Sequence, residues 1–462
     1  MSDHHAHRFE DAFLALSTAL PAGRVDSSYE ALQIARADES GFRSPTEPLC
    51  VVYAQNTDEV ALVLSIADEH RVSVVTRGAG TGLAGGAMAG FGEIVLSLER
   101  MNRIVRIDID NQVAHVEAGV LNGAFNAELR KFGFWFAPDP ASREISTVGG
   151  NIATNAGGLM CAKYGVTREA VLALTVVLAN GDVITPGRTT SKGVSGLDVT
   201  GLFVGSEGIL GVITEAWVRI LPLPHGPTET LCAYFTDIEA AARCASEIGA
   251  AHLRPLLMEL MDFDSLSAVH DYLGLPIVPG GASLLLAQFQ DANAVPDSAL
   301  AERLMTENGA FDVSRASGDR AEELLAIRRA VHPALAALGT TLIEDVCVPR
   351  SHLATMFAHI ARISAKYDVR IPTVSHAGDG NLHPNFIFEG PDVPEKVWDA
   401  AHEIFTSALE VGGTLTGEHG VGLLKRRWLK DELGDRQYGL QLAIKQVFDP
   451  QNILNPGKVF TD

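Results

Sequence analysis

The segment from Pro138 to Gly158, PDPASREISTVGGNIATNAGG, constrains this chain more than any other. Between positions 149 and 158 it carries Gly149, Gly150, Asn151, Thr154, Asn155, Gly157 and Gly158. No helix or sheet interior favours that density, because glycine gives up the most backbone freedom on ordering. Such a run suits backbone laid against a flat, polar ligand, with Asn and Thr supplying side-chain hydrogen bonds. Two further stretches share its character: RGAGTGLAGGAM at 77–88 and GSEGILGVIT at 205–214. In the first, consecutive backbone N–H groups can form an anion nest, and Arg77 adds charge. It lacks the GK[ST] of a P-loop. Its Gly78, Gly80, Gly82, Gly85 and Gly86 do not fit GxGxxG, so alone it suits structural turns as well as phosphate.

A chain of 462 residues implies two or three domains. Residues 49–76 read as strand, helix, strand, with Asn56 and Glu59 in a capping-box pattern. EIVLSL, IVRIDI and QVAHVEAG alternate as strands do, and the helix LNGAFNAELRKFG follows. AVLALTVVLANGDVI is a hairpin signal around Asn180-Gly181. LPLPHGPTE, 221–229, has three prolines in nine residues and reads as a linker. Beyond it, strands such as TLCAYF alternate with amphipathic helices such as DIEAAARCASEIGA, which implies an α+β second domain.

Net charge is −21, which argues against a nucleic-acid partner, since phosphate binding needs a basic face. The five cysteines are scattered and form no CxxC pair, which suits reduced thiols in a cytosolic compartment and argues against an iron–sulfur cluster in this chain. The N-terminus lacks the apolar core of a cleaved signal. No apolar run approaches ~18 residues, so no transmembrane helix is expected. His4, His5 and His7 offer loose metal ligands, but a frayed tail is the simpler reading.

SHAGDGNLHP, 375–384, reads as two strands around a turn, which lets His376 and His383 face each other. Two imidazoles and one carboxylate make a three-ligand divalent site with open positions, and Glu418 in TGEHGVG can supply the carboxylate. The spacing is not specific to a metal, and two hydrogen-bonded strand-end histidines explain the pair alone more simply. Asp379 competes as a ligand, although a turn-stabilising role suits it better.

The three glycine-rich stretches, in this order, resemble the FAD-binding half of vanillyl-alcohol-oxidase type flavoproteins. SHAGDGNLHP, GEHGVG and FDPQNILNPGK narrow the resemblance to the FAD-dependent D-2-hydroxyacid dehydrogenases, which include D-lactate and D-2-hydroxyglutarate dehydrogenases and the glycolate oxidase flavin subunit. The resemblance runs from about residue 40 to the C-terminus. It implies an α+β fold: an FAD-binding domain of two subdomains over 1–222, a cap or substrate domain with the metal site over 223–430, and a segment, 431–462, returning to the FAD domain.

Carried over by position, Arg77, Gly78, Ala79, Gly80, Thr81 and Gly82 would wrap the pyrophosphate. Pro138, Gly149, Gly150, Asn151, Thr154, Asn155 and Gly158 would line the ribityl chain and isoalloxazine. Glu207, Gly208, Gly211 and Ile213 would sit near the adenosine, and Asn455 would return to the flavin. Some relatives attach FAD through a histidine in the first loop; Thr81 stands there, so FAD is expected to be noncovalent. The resemblance also implies that His376, His383 and Glu418 hold a divalent metal, usually zinc, and that His419 is the catalytic base. Arg328 would clamp the substrate carboxylate, with His332 lining the pocket and Arg329 on a solvated helix face. Hydroxyglutarate-type relatives carry a lysine shortly before the Glu-Asp pair. Here Leu342 and Ile343 precede Glu344-Asp345, which favours a small substrate such as D-lactate, unless Lys425 and Arg426 compensate. The alternatives are a D-2-hydroxyglutarate or glycolate dehydrogenase, or a metal-independent flavin alcohol or alditol oxidase. The electron acceptor is a quinone, an electron-transfer flavoprotein, a cytochrome or an iron–sulfur subunit. The expected location is cytoplasmic, with peripheral membrane attachment and a homodimer both compatible.

Overall fold

In a computed structural model, which describes residues 3–276 and 279–461, the chain divides into two compact units. The first comprises Met1–Gly157, Val166–Leu223 and Glu418–Asp462; the second comprises Gly158–Gly165 and Pro224–Gly417. The break at 223/224 falls inside the proline-rich linker, and the one at 417/418 lies where the sequence reading divides at 430/431. The difference has a local cause: the Glu207 carboxylate accepts the N–H groups of Val421 and Gly422 at 2.7 and 2.8 Å, fastening this loop to the first unit.

One sheet of the first unit has Cys50–Tyr53, Ile94–Ser97 and Val74–Arg77 side by side and parallel, with Val25–Asp26 antiparallel at the edge. The helix Thr57–His70 packs on it through Val60, Val63, Leu64, Ile66 and Ala67, all buried. Fully burying such a Val or Leu side chain stabilises by about 1.5–3 kcal/mol. The helix starts as its sequence demands: Asn56 Oδ1 accepts the Glu59 N–H at 2.9 Å, and the Glu59 carboxylate accepts the Gln55 N–H. A five-stranded antiparallel sheet follows, with Val212–Arg219 between Val113–Glu117 and Val171–Val177. Its edge is the hairpin expected at Asn180-Gly181, where Gly181 has φ +87°.

Two expectations are corrected. The N-terminus is a helix, Asp3–Ala19, rather than a frayed tail, because Ala12 and Leu16 are fully buried against the parallel sheet's core. The side chains of His4 and His5 lie outside the described residues, and His7 is exposed near Glu10. The segment Val148–Thr154 is a short helix despite its two glycines. Thr147 caps it, its Oγ accepting the Gly150 N–H at 3.1 Å. Gly149 is needed there for closeness: a Cβ on it would lie 2.5 Å from Ala118 Cβ. Asn155 ends the helix with φ +52°.

The second unit is built on one antiparallel sheet in the order Asp312–Ala316, Thr228–Phe235, Ser283–Gln290, Leu257–Met261, Thr373–His376, Asn381–Phe388, Thr340–Ile343. Helices Ile238–Ala250, Phe263–Leu273, Ala294–Glu307 and Leu353–Tyr367 accompany it, giving the expected α+β architecture.

Candidate active site

The glycine-rich stretches meet in the first unit. A Cβ on Gly78 would strike Thr147 Oγ at 2.5 Å, so the first loop lies against the start of the second stretch. Gly205 and Glu207 donate their N–H groups to Ile152 and Ala153, which joins the second stretch to the third. The C-terminal tail completes the cluster. Asn455 N–H donates to the Val74 carbonyl at 2.9 Å, just before the first loop, and Asn455 Nδ2 donates to the Glu207 carbonyl at 2.7 Å. The loop from Glu418 joins too: Leu423 N–H bonds the Ala84 carbonyl, and a Cβ on Gly422 would lie 2.1 Å from that oxygen.

Several residues assigned to FAD act on the loops themselves. Arg77 folds its guanidinium back over Gly80 and donates to the carbonyls of Ala37 and Ala87. The Glu207 carboxylate is committed to Val421 and Gly422; burial raises its pKa, against the pull of those two N–H groups and Lys425. Ile213 points into a hydrophobic core, Gly211 is pressed against Val176 and Phe203, and the Pro138 carbonyl accepts from Asn122. Thr154 bonds its own helix at Gly150. Ala79 is exposed, while Thr81 and Gly82 are half-buried. Gly208 has φ +75° beside Thr76 and Asn455, and Gly158 clusters with the second unit. Around this cluster, Thr76 Oγ, Asn151 Nδ2, Ser206 Oγ and Asn455 Oδ1 are buried and bond to no described residue. Buried polar atoms are rarely left unsatisfied. Four gathered about three glycine-rich loops fit a polar cofactor with many hydrogen-bonding groups.

In the second unit, strand pairing explains the histidines. His376 stands opposite Asn381, and His383 lies two residues further along, so both imidazoles share one face of the sheet. Their rings meet edge to face with centroids 4.9 Å apart, and both are buried. Asp379 stabilises the turn, accepting the Asn381 N–H at 3.1 Å. On the neighbouring strand Glu259 is directly across from His376. Its oxygens lie 2.8 and 3.0 Å from His376 Nδ1, and Arg328 Nε donates to it at 2.6 Å. Burial alone would raise the Glu259 carboxyl; the His376 and Arg328 charges and hydrogen bonds outweigh it and hold the group below its ordinary value. Glu259 thus fixes Nδ1 of His376 as the protonated nitrogen and leaves ligation to Nε2. Arg328 is half-buried with its ε-nitrogen committed. His332 and Arg329 are exposed, Arg329 pairing with Glu322 at 3.0 Å.

The approach to Glu418 is equally determined. Buried Asp345 accepts the Thr416 hydroxyl at 2.9 Å and the Gly417 N–H at 2.7 Å. A Cβ on Gly417 would lie 2.6 Å from the Asn381 side chain, so only glycine brings this backbone onto the residue opposite His376. Glu418 follows, packed on Gly157. Glu418 and His419 turn toward one another, Oε1 to Nε2 4.0 Å, with Gly420 at φ +87°. His376 and His383, adjacent on one face of the sheet, offer two imidazoles of the kind that hold a divalent ion such as Zn²⁺, Mn²⁺ or Fe²⁺. Lys425 is buried.

Residues 48–187 match the FAD binding domain family, and residues 226–459 match the C-terminal domain of FAD linked oxidases. The chain belongs to the FAD-linked oxidase family. It is an oxidoreductase with an FAD-binding domain. It is 43% identical to glycolate oxidase subunit GlcD of Bacillus subtilis over 95% of this chain and 93% of the relative. It is 35% identical to a D-lactate dehydrogenase of Anaerostipes hadrus, over 91% of each. The fold is that of p-cresol methylhydroxylase, with a TM-score of 0.80 at 18% identity, covering 99% of this chain and 97% of that one. This agrees with the vanillyl-alcohol-oxidase type architecture expected from the sequence. Sequence reasoning missed Glu259 and the anchoring role of Asp345. Glu259 is a lone acid in the otherwise apolar strand LMELM, a signal available but not used.

Proposed function

We propose that this protein oxidises a small D-2-hydroxy acid, D-lactate or a close analogue, to the 2-oxo acid. The observation that carries the reading is the buried trio of Glu259, His376 and His383, with half-buried Arg328 bonded to it, on one unit. A divalent metal would acidify the substrate hydroxyl, and FAD would take the hydride. His376, His383 and Glu418 would hold the metal, with Glu259 keeping the His376 tautomer fit for it. Arg328, braced through Nε, turns its remaining N–H groups to the substrate carboxylate. His419 as neutral imidazole takes the hydroxyl proton. The FAD-holding residues are those of the 77–82, 138–158 and 205–213 stretches with Asn455.

Glycolate is the second reading, favoured by the 43% identity to a glycolate oxidase subunit. A second carboxylate, as in D-2-hydroxyglutarate, lacks its lysine: Leu342 is buried and paired with Phe386, and Ile343 follows. The acceptor is a quinone, an electron-transfer flavoprotein, a cytochrome or an iron–sulfur subunit. No described helix is long and apolar enough to cross a membrane. The test is a panel of D- and L-2-hydroxy acids with a dye acceptor, with and without chelator. D-lactate and glycolate turnover that chelation abolishes supports the reading; turnover of alditols untouched by chelator overturns it.

A further inference from the structure

Lys458 is not part of the machinery described so far. It stands in the C-terminal turn ILNPGKVF, yet only 4% of it is exposed, and its Nζ bonds to no described residue. A buried ammonium without a hydrogen-bond acceptor is costly, and native chains seldom keep one without a use. Burial draws its pKa down; Glu93 and Asp38 offset this in part, and Arg426 adds to it.

The surroundings locate the side chain. The turn is held on both sides: Asn455 N–H bonds Val74, at the start of the strand leading into the first glycine-rich loop, and Val459 N–H bonds the Gly422 carbonyl. Arg426 donates to the Gly457 carbonyl. Of the two carboxylates that act on Lys458, one holds the glycine-rich stretch and the other holds the turn just after it. Asp38 accepts the Ala87 N–H and lies 3.8 Å from where a Cβ on Gly82 would be. Glu93 accepts the Gly90 N–H at 2.6 Å. Neither reaches the ammonium as a hydrogen-bond acceptor. Of the other cations of this region, Arg77 is engaged with the Ala37 and Ala87 carbonyls, and Arg426 with the Gly457 carbonyl.

We infer that Lys458 supplies the positive charge for the FAD pyrophosphate, complementing from the C-terminal turn the N–H nest of the 77–82 loop. This rests on FAD binding by the first unit and on no assumption about the hydroxy acid. The test uses the full chain, stripped of flavin and titrated with FAD and with riboflavin, which has no phosphate, by quenching of flavin fluorescence. One charge-assisted hydrogen bond corresponds to roughly a 10–100-fold change in affinity. Lys458→Met is expected to weaken FAD by that factor and leave riboflavin unchanged. Lys458→Arg, which keeps the charge, recovers most of the FAD affinity. Inorganic pyrophosphate competes with FAD for the wild type and much less for Lys458→Met. Equal weakening of FAD and riboflavin in both variants would mean a packing role and overturn the inference. So would undiminished FAD affinity in Lys458→Met, whatever the enzyme's substrate proves to be.

Discussion

Replacing Glu259 with Gln keeps the side chain's shape and removes its charge. In the structure the carboxylate is 1% exposed and accepts from His376 Nδ1 and Arg328 Nε at once. An amide has one acceptor oxygen, so it can serve one of these donors while its NH₂ opposes the other. Breaking a buried charge pair by changing one partner costs about 3–5 kcal/mol. For a unit of about 200 residues, with ~2–4 °C per kcal/mol, that lowers its melting temperature by roughly 6–20 °C. The effect depends on pH with a definite sign. Glu259 has a folded pKa below its ordinary 4.5, so its contribution is present above that value and fades as pH falls through the folded pKa. The wild type's advantage over Glu259→Gln is therefore full near neutrality and shrinks below pH 4.5. Metal binding gives an independent readout, since losing the partner of a ligating histidine typically weakens affinity ~10–100-fold. Thermal melts across pH, with a zinc competition titration, measure both. A variant with wild-type melting and wild-type zinc affinity at pH 7 would refute the claim that Glu259 organises this site.

Other expectations concern the loops and the thiols. Gly149→Val should abolish FAD binding or destabilise the first unit by about 1–3 kcal/mol, because its side chain has to enter space held by Ala118; flavin content after purification and a denaturant melt check this. Burial pushes the Cys50 and Cys244 thiols up to about 12 and Cys232 up to about 11. A thiol reagent on the native protein at pH 8 should therefore modify at most two cysteines, and all five after denaturation; three or more fast sites in the native state would contradict the packing.

The sequence carried much of the cofactor region because glycine and asparagine in such density have few other uses. It did not carry their individual roles. The linear reading gives Arg77 and Glu207 to the cofactor, and it has no means of showing that their side chains also bond loop carbonyls and N–H groups. Gly149 and Gly150 argue against a helix by propensity, but contact with Ala118 and the Thr147 cap override it. For the histidine hairpin, strand periodicity sufficed to put His376 and His383 on one face once the turn was placed. A lone acid in LMELM could have marked Glu259, but its partner could not be read: it lies 117 residues from His376, and only the sheet order brings the two strands together. Lys458 was hidden for a similar reason, as nothing local to a terminal turn announces that it is buried.

The central claim is that hydride leaves a D-2-hydroxy acid for the flavin only when His376, His383 and Glu418 carry their metal. The direct measurement is anaerobic mixing of the flavin-loaded protein with D-lactate, glycolate or L-lactate, before and after chelation and after zinc or manganese is restored, following the flavin's visible absorbance. The account predicts rapid bleaching by D-lactate or glycolate, none by L-lactate, loss of bleaching on chelation and recovery with metal. Bleaching by L-lactate alone, or bleaching by D-lactate at full rate in the metal-free protein, would contradict it.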